Sequence, residues 1–160
     1  MFEKCVAVLK SRGVEIADIA ECVLFLQAKH HPEVTVDEVI PIIEGILHKR
    51  EVQHAILTGI ALDIGAERAE LFDKDLCAIL IADYSLYGID EVLAYGICNI
   101  YGSIALTNFG YIDREKPGII GRLNNHDGIQ CNCFLDDIVG AIAAAAASKI
   151  AHTHYSEVNP

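Results

Sequence analysis

The chain has 160 residues, the length of one ordinary domain, and 52% of them are hydrophobic, which excludes a disordered chain. Its formal net charge is −11 and its longest basic run is Lys49-Arg50, so neither a nucleic acid nor an anionic membrane held by charge is an expected partner. We therefore predict a single folded domain over residues 1–160.

Apolar residues recur at helical spacing along almost the whole chain, and no segment alternates for long enough to predict a half-buried strand. We therefore expect an all-α fold, a bundle of six to seven helices. The first helix is expected at residues 2–10, before Gly13, and the second begins near Ile16 and ends near Pro32. The third begins at Thr35-Val36-Asp37-Glu38, which matches a capping box.

The second half of the chain is predicted to hold two helices, then a long apolar helix and a final helix. The first two are expected over residues 49–70 and 72–82, and a turn-rich segment at residues 83–88 follows them. The final helix is expected from Phe134 to about His152. A run of alanines at its centre allows neighbouring helices to approach closely.

The long apolar helix is expected at about residues 89–112, at the centre of the bundle. It contains the stretch from Val92 to Ile112, whose 21 residues carry no charge and are enough to cross a bilayer. Polar residues and glycines within this stretch, and the lack of a second one like it, favour a buried helix and no transmembrane span. Gly102 and Gly110 are the positions at which the helix would break.

The cysteines mostly stand singly in apolar segments, without the short regular spacing of a secreted disulfide framework. They are Cys5, Cys22, Cys77, Cys98, Cys131 and Cys133. The N-terminal residues also lack the apolar core and cleavage site of a signal peptide. We therefore expect reduced thiols and a cytoplasmic protein, with any membrane contact transient and peripheral.

A rival metal site is suggested by His126 with Cys131 and Cys133, and by His152 and His154 near the end of the chain. Structural zinc sites need four ligands at characteristic spacing. Cys-x-Cys with one loop histidine is incomplete by this criterion. The sequence leaves open whether these residues bind a second metal.

Two acidic pairs, Asp90-Glu91 and Asp136-Asp137, each stand at the start of an apolar helix rich in small residues. Carboxylates in a first helical turn ordinarily cap free N–H groups, and this would explain either pair alone. Where a helix is apolar all round, however, at least one carboxylate of each pair faces neighbouring helices, and a buried unpaired carboxylate is costly. Asp113 lies near a helix C-terminus, where the helix dipole disfavours a negative charge.

One explanation of these acids is a local network of ion pairs around Asp113-Arg114-Glu115-Lys116, which would contribute little to stability. The other is that they converge on a divalent cation while Lys116 and Arg114 bind a phosphate. The predicted metal ligands are Asp90, Glu91, Asp113, Asp136 and Asp137. Oxygen ligands of this kind are typical of Mg²⁺, with Mn²⁺ or another divalent ion as an alternative.

Three segments resemble motifs of the phosphatidylglycerophosphatase A family, which has an acidic pair, a D-x-x-K-P segment and a D-D-I-V-(A/G)-G-like segment in that order. They are Gly88-Ile89-Asp90-Glu91, Asp113-Arg114-Glu115-Lys116-Pro117 and Phe134-Leu135-Asp136-Asp137-Ile138-Val139-Gly140. With a further similarity at residues 53–59, the resemblance covers about residues 50–150. It is greatest to a soluble branch of Gram-positive bacteria, named in connection with low-temperature growth, and it gives no role to residues 1–48.

This resemblance implies a Mg²⁺-dependent lipid phosphatase that converts phosphatidylglycerophosphate to phosphatidylglycerol. The expected mechanism is in-line attack of a water that the metal activates, with Asp113 and Asp137 as catalytic carboxylates, one of them uncoordinated and acting as a base. Lys116, with Arg114, is expected to bind the phosphate and to neutralise its charge. His54 is a candidate for a further ligand or for a proton carrier to the leaving alkoxide, although a lone histidine on a helix is more often structural.

Other interpretations stay open at this point. The substrate could be a water-soluble phosphomonoester in place of a phospholipid. The chain could also be a non-catalytic helical module that dimerises or binds a partner through an apolar surface and keeps a vestigial metal site. Glu15-x-x-Asp18-x-x-Glu21 is a partial match to all-α nucleotide pyrophosphohydrolases. The Gly- and Ala-rich helix faces predict a homo-oligomer, with a dimer as the first candidate.

Overall fold

Helices form most of the chain in the computed structural model, which describes residues 1–125 and 130–158. The nine helices of these residues are α1 (Phe2–Ser11), α2 (Ile16–Gln27), α3 (Val36–Leu47), α4 (Arg50–Glu67), α5 (Lys74–Ile81), α6 (Ile89–Cys98), α7 (Ser103–Glu115), α8 (Gly118–Leu123) and α9 (Leu135–Val158). A 3₁₀ turn at Asn99–Tyr101 joins α6 to α7, and the described part of the chain contains no strand. The all-α prediction is confirmed.

Two differences raise the number of helices above the expected six to seven. The helix expected at residues 89–112 is two helices, separated at Gly102, whose φ of 81° and ψ of −166° suit a residue without a Cβ. The break at Gly102 is confirmed, whereas α7 continues through Gly110. The short α8, which the sequence did not predict, begins directly after Pro117 and buries three apolar side chains.

The central helix of the bundle is α9. Every residue from Cys133 to Ser148 is buried, and α9 packs against α2, α3, α4, α6, α7 and α8. The alanines at Ala143–Ala147 have no exposed surface, so these neighbours approach closely. The prediction that residues 89–112 form the central helix is wrong. A stretch without charges is not thereby buried, and Val92 within it is 60% exposed.

Both α6 and α7 have one buried face and one exposed face. The exposed faces are uncharged between Val92 and Ile112, and they include large apolar side chains. Across residues 1–125 and 130–158, we find no helix with the length and apolarity that crossing a bilayer requires.

Capping boxes fix the N-termini of α2 and α3. The backbone N–H of Thr35 donates to Glu38 Oε2 at 2.8 Å, which confirms the capping box predicted for α3. At α2 the backbone N–H of Glu15 donates to Asp18 Oδ2 at 2.8 Å, and Arg122 donates to Asp18 Oδ1 at 3.0 Å. Asp18, part of the partial pyrophosphohydrolase match, is therefore engaged in a cap and an ion pair.

Candidate active site

A buried aspartate of α4 fixes the beginning of α9. Asp63 has no exposed surface, and its carboxylate accepts hydrogen bonds from the backbone N–H groups of Phe134 and Leu135, both at 3.1 Å. The first N–H groups of a helix lack partners within it, so Asp63 caps α9 from another helix. Burial raises the pKa of Asp63 to about 7. The cap gives a defined position to the first turn of α9, which carries Asp136 and Asp137.

The loop before α9 is tied to α1 and α4 through Arg12. The Arg12 guanidinium is 6% exposed and donates to Glu67 at 3.1 Å, to the Cys131 carbonyl at 2.7 Å and to Asn132 Oδ1 at 3.1 Å. The backbone N–H of Cys131 in turn donates to Glu67 Oε1 at 2.7 Å. Residues 1–48, which the motifs left without a role, thus supply an anchor for the loop that leads into α9.

Replacing Arg12 with methionine is expected to lower the free energy of unfolding by about 3 kcal/mol, because the largely buried Glu67 loses its cation. The matched control is Lys10→Met, which breaks an ion pair to Glu15 whose side chains are 67% and 56% exposed. This control should change stability by less than about 1 kcal/mol. Urea unfolding measures both values, and equal losses in the two variants would contradict the anchoring role of Arg12.

A cavity of about 170 Å³ opens beside the first turn of α9. One wall is α9 and Cys133 before it, and the others are the start of α6, the end of α7 and the loop at residues 83–88. The ionisable groups from these helices that line it are Asp90, Glu91, Asp113, Lys116, Asp136 and Asp137. The fold therefore brings together six of the eight residues predicted for the site.

Lys116 lies between two carboxylates of the cavity. Its Nζ donates to Asp113 Oδ1 at 2.8 Å and to Asp136 Oδ2 at 2.9 Å. Burial alone would lower the pKa of Lys116, but the two acids raise it above its ordinary value, so the ammonium stays charged. Burial raises the pKa of Asp136 to about 6, and Lys116 opposes this shift. Lys116 ends α7 with a φ of 48°, a strained conformation of the kind that occurs at functional sites.

Asp90, Glu91 and Asp137, the acidic trio, form a second group in the cavity. One oxygen of each lies within 4.8 Å of the others, and Glu91 Oε2 is buried without a hydrogen-bond partner. The neighbouring Asp90 carboxyl group, together with burial, raises the pKa of Glu91. Burial and the nearby Asp136 raise the pKa of Asp137. Glu91 and Asp137 therefore retain protons that free carboxyl groups would release.

The acidic trio fits a hard divalent cation. Its donors are all carboxylate oxygens, the ligands of Mg²⁺ and Mn²⁺, and a cation would give the buried Glu91 oxygen the partner it lacks. Donor atoms of Asp83, Asp90 and Cys133 also lie within 4.8 Å of one another. This second group offers a softer thiol, whose pKa burial and Asp90 raise, so the trio of oxygen ligands suits Mg²⁺ better.

The cysteines of the rival zinc pattern act as weak hydrogen-bond donors. Sγ of Cys131 lies 3.3 Å from the Leu80 carbonyl oxygen, and Sγ of Cys133 lies 3.6 Å from Asp90 Oδ2. All six cysteines are free and buried, as expected for reduced thiols. His126, the histidine of that pattern, lies outside the described residues.

Two residues predicted for the site lie away from the cavity. The buried face of α4 consists of positions spaced three and four apart, and it includes Asp63. His54 lies off this face and is exposed. The side chain of Arg114 is 77% exposed and pairs with the neighbouring glutamate at 2.7 Å. Neither residue lines the cavity. His152 is exposed on α9, and the side chain of His154 lies outside the described residues.

Sequence reasoning missed the residues that hold the site in place. Asp63, Arg12 and Glu67 all act on the segment before α9, to which they are linked only by folding. Asp63 alone left a signal in the sequence, since it follows Gly59 and Ile60 on the apolar face of α4. An aspartate on such a face requires a buried partner.

The comparison with protein families gives one match over most of the chain. The family model for phosphatidylglycerophosphatase A matches residues 6–152, which include α2 and α3, where the motifs gave no resemblance. The protein YutG of Bacillus subtilis (strain 168) is 58% identical over 152 residues, covering 95% of this chain and 91% of YutG. YpjQ of the same organism is 52% identical over 147 residues, covering 91% of this chain and 81% of YpjQ.

Solved structures of similar proteins have the same fold. The crystal structure of low temperature requirement C protein from Listeria monocytogenes matches with a TM-score of 0.92 at 57% identity, covering 96% of each chain. The crystal structure of ypjQ from Bacillus subtilis matches with a TM-score of 0.93 at 48% identity, covering 97% of this chain and 95% of that chain. The similarity therefore extends over almost the whole length of each protein.

Proposed function

Because this chain belongs to the phosphatidylglycerophosphatase A family, we propose that it is a Mg²⁺-dependent phosphatase that converts phosphatidylglycerophosphate to phosphatidylglycerol and phosphate. The observation that carries the proposal is the presence of the acidic trio and Lys116 in one cavity. A phosphomonoester carries two negative charges, and a cation site beside a fixed ammonium offers positive charge on two sides of it.

We assign the metal ion to Asp90, Glu91 and Asp137. When bound, Mg²⁺ would supply charge neutralisation at the phosphate and an activated water. The burial of Asp90 and Asp137, which are 7% and 5% exposed, keeps competing water from these ligands. Mn²⁺ is the second candidate, because it accepts the same oxygen ligands.

We assign Lys116 to the phosphate. An ammonium has three N–H donors, and two of them are directed to Asp113 and Asp136. The third is left for a phosphate oxygen. Because the two carboxylates hold the ammonium before the substrate arrives, Lys116 needs little reorganisation to neutralise charge that develops in the transition state.

Asp113 is the carboxylate that we assign to proton transfer. Its side chain is 33% exposed at the cavity, and it stands outside the acidic trio. In the hydrolysis, a water oxygen bonds to phosphorus while the ester P–O bond breaks. Asp113 takes the proton of the attacking water, and the leaving alkoxide receives it. His54 and Arg114, which the fold keeps away from the cavity, take no part.

Phosphate release from phosphatidylglycerophosphate in mixed micelles tests the proposal. The parent protein is expected to release phosphate with Mg²⁺ and to stop in EDTA. Asp137→Asn keeps the shape of the side chain but removes a ligand charge, so the rate should fall about 100-fold or more. The matched control is Asp75→Asn, at an exposed position of α5, which should keep the parent rate. Release in EDTA, or equal rates in the two variants, would contradict the proposal.

A water-soluble phosphomonoester such as glycerol 3-phosphate distinguishes the substrate classes. We expect slower hydrolysis of this ester than of the phospholipid at equal concentration. A protein that binds Mg²⁺ at the trio and hydrolyses neither compound would instead be the non-catalytic module with a vestigial site. We also propose that the protein is cytoplasmic and makes peripheral contact with the membrane that holds its substrate. The homo-oligomer stays a prediction.

A further inference from the structure

Exposed apolar side chains lie close together in sequence in the loop at residues 83–88 and at the start of α6. These two segments form walls of the cavity. Tyr84 is 61% exposed, Leu86 99%, Ile89 53% and Val92 60%. We call these four residues the rim patch. Tyr84 and Leu86 line the cavity, and Ile89 and Val92 stand on either side of Asp90 and Glu91, which also line it, so the patch adjoins the cavity.

Leu86 is the most exposed member of the rim patch and has an unusual backbone. Its φ is 70°, a conformation that costs free energy for a residue with a branched side chain. With its side chain in water, Leu86 gains no packing within the chain that would offset this cost. The loop thus presents an apolar side chain outward, which is typical of a surface that meets an apolar partner.

The size of the cavity indicates which partner this is, given the function proposed above. About 170 Å³ holds a phosphate and part of a head group, but not two acyl chains. Each methylene moved from hydrocarbon into water adds to the free-energy cost, so the acyl chains stay in the bilayer during the reaction. The cavity opening therefore has to lie at the bilayer surface.

The position of the rim patch beside the cavity favours a lipid over a second copy of the chain. A protein seated on Tyr84 and Leu86 would cover the cavity opening, whereas a lipid layer delivers the substrate there. The sequence has no lysine or arginine between Lys74 and Arg114, and the whole chain carries a charge of −11. Attraction at this surface has to come from apolar contact and not from opposite charges.

We propose that the rim patch inserts into the interfacial layer of a lipid bilayer and holds the cavity opening against it. This inference rests on the proposed function for its choice of lipid. Insertion of Leu86 moves its side chain from water into hydrocarbon, and the bilayer surface then brings lipid phosphates to the level of Lys116 and the acidic trio.

Sedimentation with vesicles of phosphatidylcholine and phosphatidylglycerol tests the insertion without reference to activity. Leu86→Ser is expected to raise the lipid concentration for half-maximal binding about tenfold. The matched control is Phe72→Ser in the loop between α4 and α5, a side chain 96% exposed and outside the cavity lining, which should bind as the parent does. Binding by the parent should not weaken in 0.5 M salt. A parent that does not bind, binding that salt abolishes, or equal losses in both variants would overturn the inference.

Activity on two substrates separates failure of this inference from failure of the proposed function. The substrates are phosphatidylglycerophosphate in vesicles and a short-chain analogue below its critical micelle concentration. Val92→Ser, outside the cavity lining, should lose about tenfold on vesicles and nothing on the monomeric analogue. Equal rates for Val92→Ser and the parent on vesicles would overturn the inference. If the parent binds vesicles as described but hydrolyses neither substrate, the proposed function fails and the insertion stands.

Discussion

Replacing Lys116 with methionine is expected to lower the rate of phosphate release by a factor of about 100 to 1,000, the usual loss when one fixed donor to a developing oxyanion is removed. The cause is the loss of the only ammonium among the described residues that line the cavity. Because Asp113 and Asp136 hold the ammonium where charge develops in the transition state, the loss should appear in kcat more than in KM. Steady-state kinetics in mixed micelles measures both.

Folding of the Lys116 variant needs its own control, since methionine leaves the 6% exposed side chain of Asp136 without a cation. The double variant Lys116→Met/Asp136→Asn removes charge and countercharge together and should fold with nearly the parent stability. We expect it to be as inactive as the single variant. Lys4→Met, at an exposed position of α1, is the matched control for loss of a lysine and should be fully active. A folded double variant with parent activity would refute the assignment of Lys116.

Mg²⁺ is expected to raise the melting temperature of the protein, and to raise it more at pH 8 than at pH 5. In the folded chain the pKa of the proposed ligand Glu91 is raised to about 7 and that of Asp137 to about 9, whereas unfolded carboxyl groups titrate near pH 4. Without an ion, the folded chain therefore binds protons that the unfolded chain has released. Its stability falls as the pH rises from about 4 through 9. The ion replaces these protons, so its effect grows over the same range.

Asp137→Asn separates this effect from general salt stabilisation. Without Mg²⁺ at pH 8, the variant should melt about 5 °C above the parent, because asparagine replaces a buried carboxyl group that the fold has to keep protonated while the unfolded chain releases the proton. With Mg²⁺, the parent should gain about 3 kcal/mol at an ion concentration 100 times the dissociation constant, and the variant should gain little. Differential scanning calorimetry at both pH values measures these shifts. An equal response of parent and variant to Mg²⁺ would show that the ion binds elsewhere.

Much of the fold could be predicted from the sequence because helical periodicity records which face of a segment is buried. The capping box at Thr35 and the break at Gly102 could both be predicted, since each depends on residues next to one another in the chain. The helix at the centre of the bundle could not be predicted in this way. Residues 89–112 carry fewer charged residues than α9, yet α9 is the helix that the bundle encloses. Enclosure depends on how many helices pack around a segment, and the segment's own sequence does not record that number.

The site residues also divide into those that local sequence indicates and those that only the folded chain brings together. The sequence indicated Asp90, Asp113 and Asp137 because each lies where burial or the helix dipole disfavours a carboxylate. The fold brings all three to one cavity. Asp63 and Arg12 act across large separations in the chain, on backbone groups that any sequence supplies. No local pattern encodes such contacts, and only the assembled fold reveals them.

The enclosure of α9 has a consequence for motion. Most helix ends fray, but the first turn of α9 is capped by Asp63 and surrounded by other helices, so we expect it to open less often than other helix ends. We therefore expect Asp136 and Asp137, which are buried there, to move little. The opposite wall, residues 83–88, has few buried side chains and two non-glycine residues with positive φ. Under the proposed function, we therefore expect that loop to move more than the α9 wall when substrate enters and product leaves.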